Sequence, residues 1–249
     1  TGATDIASFL VENGVRTVQL NGIPDNDIVI DTEAVVISLK SRSCSSDEAI
    51  SLSLEALTWC QARGADKIFF KYCSTFDSTE DGNIGPVTDS LMEGMDENLT
   101  VVCPALPVNG RTVYKGYLFV GDVLLNESGM QNHPINPMKD ANLLRLMDRQ
   151  SQGKTGLIDI LTIREGTESI LNALRGQKRV GNKYVVVDAI RMEDLHVIAE
   201  ASYDFLNLFT GGSGLGEGIA KHICKSPDNI IQAQNEGIPE VGASVVLSG

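Results

Sequence analysis

Short β-branched runs that alternate with segments of helical period constrain this chain more than any other feature of its sequence. The runs fall at 15–20, 34–39, 67–72, 99–103, 156–161, 183–187 and 207–210. Between most of them lie helical patterns, at 46–62, 85–95, 139–150, 165–175, 193–204 and 215–224. The 46–62 segment is the clearest: Ser45 and Glu48 have capping-box spacing, and Ile50, Leu54 and Leu57 share one face. Alternation at this spacing predicts right-handed βαβ units. The expected fold is α/β, a mostly parallel sheet with helices on both faces in a Rossmann-like three-layer arrangement.

The two ends read differently. Thr1-Gly2-Ala3-Thr4-Asp5 runs straight into Ile6, Ala7, Phe9 and Leu10 at helical spacing, a helix start with no strand ahead of it. Val245-Val246-Leu247 reads as a strand entering the Ser248-Gly249 turn, and Asn, Gln, Pro, Glu and Gly accumulate before it between 224 and 242, as in a linker. The expectation is one domain over 1–226 that lacks its first strand. A linker and the first strand of a second domain follow over 227–249.

Composition narrows the function. A formal charge of −13 argues against nucleic-acid binding, which needs a basic face, but leaves room for a local cationic pocket. No apolar run approaches the roughly 18 residues of a membrane helix. The 5 cysteines are widely spaced and form no CxxC pair, and the 3 histidines share no metal-ligand spacing. These features predict a cytoplasmic protein with reduced thiols, no membrane partner and no metal ligands of its own. Oligomerisation is left open.

In parallel sheets ligands bind where the carboxyl ends of strands meet helix N-termini. Four loops expected there are unusually polar: Lys40-Ser41-Arg42-Ser43; the stretch from Lys71 to Pro86, with Ser74, Asp77, Ser78, Thr79 and Asn83; the stretch from Pro104 to Arg111, with Asn109; and Thr210-Gly211-Gly212-Ser213-Gly214. Asp77-Ser78-Thr79 fits either a helix-capping turn or a ligand cradle. Gly82-Asn83-Ile84-Gly85 adds close backbone approach and free N–H groups suited to a carboxylate or phosphate. Arg42, Lys71 and Arg111 would each be ordinary surface residues alone; together on one rim they suit a planar carboxylate.

Other signals are weaker. Gly153-Lys154-Thr155 resembles the end of a P-loop, but Asp148 stands where the first glycine belongs and the motif precedes a strand, so it reads as a turn. The glycine-rich run at 211–216 fits no GxGxxG frame, which leaves tight strand–helix packing or an anion loop. His133 sits in a polar loop and reads as incidental.

With these motifs in place, the chain resembles the four-carbon acid sugar kinase family, most closely its 3-oxo-tetronate 4-kinase branch. The stretches that carry the likeness are 1–7, 38–43, 71–86, 104–111 with 116–119, 128–130 with His133-Pro134, and 210–215. The resemblance implies a two-domain kinase in which this chain is the sugar-acid-binding N-terminal part and ATP, with Mg2+, is held mainly by a C-terminal domain. It implies Asp77 as the catalytic carboxylate, in competition with aspartates of an upstream strand. Ser41, Arg42, Lys71, Ser74, Ser78, Thr79, Asn83, Asn109, Arg111, Gly212 and Ser213 are then the substrate-binding residues, and Ser248 and Gly249 contact ATP. The alternatives are a non-catalytic sugar-acid binding module, or an aldolase or decarboxylase for which Lys71 is the well-placed amine.

Overall fold

Strands buried on both faces must be apolar on both faces, and three runs of this sequence meet that condition. The computed structural model describes residues 2–24 and 30–224. In it β4 (Thr100–Cys103), β9 (Tyr184–Val187) and β10 (Leu208–Gly211) are buried at every position. With β3 (Ile68–Lys71) and β8 (Thr155–Ile158) they form a fully parallel sheet of order β3-β10-β4-β9-β8. A second parallel pair joins β1 (Thr17–Asn21) to β2 (Ala34–Ser38), with Thr17 opposite Ala34.

The helices pack in two series. One runs through α1 (Gly2–Glu12), α8 (Ser213–Ile223), α7 (Met192–Ser202), α6 (Thr167–Arg179) and α5 (Ile160–Arg164); the other through α2 (Ser46–Gln61), α3 (Ile84–Gly94) and α4 (Leu143–Gln150). The α/β architecture expected from periodicity is thus the one observed. Among the described residues no helix is long and apolar enough to cross a membrane. Among them β2 and β3 do not pair. Their apolar residues, Ala34 to Ile37 and Ile68 to Phe70, stay half-buried, unlike those of the central strands.

Boundaries moved where caps decided them. The run at 156–161 stops at Ile158 because Asp159 accepts from the Thr162 N–H and starts α5. The helix placed at 139–150 begins only at Leu143, where Asn142 Oδ1 accepts from Arg145 N.

A feature missed in the sequence is an antiparallel sheet of β5 (Arg111–Tyr114), β6 (Tyr117–Val120) and β7 (Val123–Leu124). Its first turn holds Lys115 at φ 50° and Gly116 at φ 74°, the left-handed pair of a tight hairpin, without the Asn or Asp that normally signals one. Asp188, wholly buried after β9, offsets the strain. Its carboxylate accepts from the backbone N–H groups of Lys115 (2.6 Å), Gly116 (2.9 Å) and Ile160 (3.0 Å), tying hairpin, sheet and α5 together. Burial pushes the Asp188 carboxyl up, against the pull of those three donors.

Removing this acceptor strands three donors in the interior. Asp188→Ala is expected to lower the unfolding free energy by about 3 kcal/mol in urea titration, and Asp188→Asn, which keeps one acceptor oxygen, by about half of that.

Candidate functional site

The carboxyl ends of β3, β10 and β4 lie side by side because the three strands are adjacent and parallel. The loops that follow β3 and β4, with the loop after β2, open onto a cavity of about 1890 Å3. Its trough between β2 and β3 is apolar, with Val36, Ile37 and Phe70 among the lining side chains. Its mouth is polar. Ser41, Arg42, Lys71, Ser74, Asp77, Asn83, Asn109 and Arg111, all expected from the sequence, line this one cavity.

Two loops are bent to bring Arg42 and Asp77 together. Lys40 (φ 55°) and Phe76 (φ 45°) both hold the left-handed conformation that side chains beyond Cβ disfavour. Phe76 is fixed there by complete burial and an edge-to-face contact with Tyr72. Arg42 Nε then donates to Asp77 Oδ2 (2.7 Å), and Nη2 lies 2.6 Å from the same oxygen in an ion pair. Asn83 secures the same junction by donating to Ser41 O (2.9 Å) and Cys44 O (3.3 Å). A third loop joins through Asn136 Nδ2, which donates to Asp77 O at 3.2 Å. The Asp77 side chain is 2% exposed and Arg42 is 56% exposed. Burial lowers the Arg42 pKa, but Cys73 and Asp77 beside it carry it above the ordinary guanidinium value.

A second cluster sits at the end of β3. Lys71 Nζ lies 3.7 Å from Asp5 Oδ2, and the same oxygen accepts from Ser213 Oγ at the start of α8. Burial pulls the Lys71 pKa down, with Asp5 opposing it. Arg111 donates to Asn109 O and keeps a buried Nε with no hydrogen-bond partner. The mouth therefore carries three cations, one neutralised by Asp77, one partly by Asp5, and Arg111 beside a backbone carbonyl.

Other expected residues serve the fold. Ser78 donates to Gln150 Oε1 (2.7 Å) and accepts from Ile84 N (3.3 Å), while Gln150 Oε1 also accepts from Gly85 N (2.9 Å). The N–H groups at the start of α3 that looked free for a ligand are thus taken from within. Gly85 is required because a Cβ there would lie 2.5 Å from Gln150. Thr79 is outside the cavity lining. So are Gly212 and Ser213, in the glycine run that sits tight on the loop after β4, where a Cβ at Gly212 or Gly214 would lie 2.7 Å from a backbone carbonyl. The run at 153–155 is a bend that leads into β8, with Thr155 N donating to Asp148 Oδ1 at 2.9 Å. Ser248 and Gly249 lie outside the described residues.

Asp5 is the rim residue that sequence reading missed. In sequence it is an acid in the first turn of α1, a common cap-region residue. Its partners stand 66 and 208 positions away, beyond any local signal. Among the described residues no group of three or more His, Cys, Asp or Glu is placed to hold a metal.

The family model described as "Sugar-binding N-terminal domain" matches residues 1–219. A 3-oxo-tetronate kinase of Pectobacterium atrosepticum is 53% identical over 249 residues, all of this chain and 58% of that protein. One of Escherichia coli K12 is 51% identical, with 63% of its length covered. The chain thus spans about three fifths of the length of these relatives. A crystal structure of a Haemophilus influenzae protein superposes with a TM-score of 0.88 at 55% identity, covering 90% of this chain and 54% of that one. A Bordetella bronchiseptica protein, crystallised as a domain-swapped dimer with citrate, has a TM-score of 0.75 at 23% identity over 89% of this chain and 55% of its own, and speaks for the fold alone. The chain belongs to the sugar-binding N-terminal domain family.

The Arg42–Asp77 pair generates a stability test. Arg42→Ala leaves a buried carboxylate unpaired and is expected to cost about 2 kcal/mol in chemical denaturation, below the roughly 3–5 kcal/mol of a fully buried pair because Arg42 is half-exposed. Asp77→Ala, which leaves a cation free to reach water, is expected to cost less.

Proposed function

From membership in this family we propose that the chain is the acid-holding part of an ATP-dependent kinase that phosphorylates the 4-hydroxyl of a 3-oxo-tetronate. The observation that carries the reading is the convergence of Arg42, Lys71 and Arg111 on one polar mouth at the carboxyl ends of parallel strands. Three cations suit the carboxylate of a small acid, and the hydroxyl and amide groups of Ser41, Ser74, Asn83 and Asn109 suit its oxygens. The names of the relatives supply the reaction class. In such a reaction the hydroxyl oxygen bonds to the γ-phosphorus of ATP as the β–γ bridge breaks and ADP leaves, with catalysis coming mainly from positioning and charge.

The same reading assigns the domain layout. Residues 1–226 form the acid domain and 227–249 lead into a nucleotide domain, with Ser248 and Gly249 at its ATP. The open, half-buried edges of β2 and β3 support a further parallel strand between them, delivered ahead of α1. Mg2+ would accompany ATP, and among the described residues no group of three or more His, Cys, Asp or Glu is placed to hold it.

One observation favours a second reading, in which Lys71 is an amine nucleophile. Burial lowers its pKa, as a Schiff-base lysine requires. Borohydride trapping with 3-oxo-tetronate is expected to leave Lys71 unmodified under the kinase reading, and a reduced adduct would favour the second.

Calorimetric titration of the full-length protein with 3-oxo-tetronate tests the acid site. Arg42→Ala and Arg111→Ala are each expected to weaken binding about 10- to 100-fold, the worth of a charge-assisted contact. Acid binding needs protonated Lys71, so affinity is expected to fall on raising the pH through a value below the ordinary 10.5 of lysine, and Lys71→Met to abolish that fall. Unchanged affinity in all three variants would remove the rim from the binding site.

A further inference from the structure

Two carboxylates stand at the cavity mouth, and their surroundings differ in kind. Asp77 is sealed in. Its Oδ2 carries both Arg42 contacts, and its Oδ1 is shut off from solvent, with no hydrogen-bond partner and His133 Nδ1 at 3.8 Å. That ring nitrogen already accepts from Asn136 N at 3.1 Å, so it offers Asp77 no proton in that tautomer. Asp77 borders the cavity with a side chain only 2% exposed, so it presents little surface to a substrate oxygen. Asp5 is 41% exposed, lines the cavity, and has one oxygen engaged by Ser213 and Lys71.

We propose that the two carboxylates divide the work: Asp77 is a positioning residue that presents Arg42 to the substrate's carboxylate, and Asp5 is a specificity residue that accepts hydrogen bonds from the substrate's hydroxyl groups. The inference rests on the cavity being the acid site. Nε and Nη2 form one edge of the Arg42 guanidinium, and Asp77 holds that edge at 2.7 and 2.6 Å. The opposite edge, Nη1 with the second Nη2 hydrogen, carries two parallel donors on a side chain that is 56% exposed, the fork that a carboxylate matches. Asp77 thereby fixes a flexible arginine before the ligand arrives and lowers the ordering cost of binding. At Asp5, Ser213 and Lys71 hold the carboxylate from one side. Its exposed side meets a ligand rich in hydroxyl donors and poor in apolar surface. An ionised carboxylate accepts and cannot donate, so it rewards a hydroxyl and offers nothing to a methyl group.

The test compares 3-oxo-tetronate with acetoacetate, which keeps the four carbons, the ketone and the carboxylate but has no hydroxyl. Each is titrated into the full-length protein by calorimetry. Asp77→Asn is expected to weaken both acids by the same factor, about 10-fold, and to have no further effect in an Arg42→Ala background. Asp5→Asn removes a charge beside Lys71 and so shifts the binding of both acids together, and beyond that common shift it is expected to weaken 3-oxo-tetronate relative to acetoacetate about 10-fold. If Asp77→Asn does not fold, Arg42→Ala/Asp77→Asn replaces it and must match Arg42→Ala alone. A loss confined to the hydroxylated acid in Asp77→Asn, or an equal loss of both acids in Asp5→Asn, overturns the division while the acid site stands. Wild-type protein that binds neither acid overturns the acid site itself, and the division with it.

Discussion

A parallel sheet delivers the carboxyl end of every strand to the same edge, and the polar chemistry of this domain is arranged around that constraint. β3, β10 and β4 are adjacent, so the loops carrying Lys71 to Asp77 and Asn109 to Arg111 meet at one cavity, with Gly212 and Ser213 packed behind them, without any long-range folding of the loops themselves. The strands can run parallel because helices cover them. The central strands consist almost wholly of apolar side chains, and their full burial favours the frame that holds the rim in place.

On this frame the rim concentrates positive charge within a chain whose formal charge is −13. Three cations at one mouth would repel one another if left alone. Asp77 and Asp5 relieve that repulsion in different ways, one sealed beneath Arg42 and one open beside Lys71. The backbone bears part of the cost, since Lys40 and Phe76 hold left-handed conformations to bring Arg42 onto Asp77. Such strain persists where surrounding structure fixes it, and Phe76 is fixed by complete burial against Tyr72.

The fold was legible in the sequence wherever a period spoke for it. The seven parallel strands and the longer helices followed from alternation and capping, with ends displaced by one to four residues where Asp159 or Asn142 capped earlier or later than apolar spacing suggested. The hairpin at 111–124 was not legible, because Lys115 occupies a left-handed position with no local turn signal and is held by Asp188, 73 residues away. The site was legible in its cations and in the loop from Lys71 to Asn83. It was illegible in the use made of each polar group. Ser78 and Gly85 serve Gln150, and the glycines at 211, 212 and 214 serve close packing, as a partner distant in sequence decides. Asp5 escaped notice for the same reason: its neighbours come from β3 and α8.

A crystal structure of the full-length protein with 3-oxo-tetronate tests the central claim most directly. The account predicts the ligand's carboxylate within about 3 Å of the free edge of Arg42, with Arg111 and Lys71 around it and a hydroxyl on Asp5. A ligand seated away from this rim, with Arg42 and Arg111 unengaged, would contradict it.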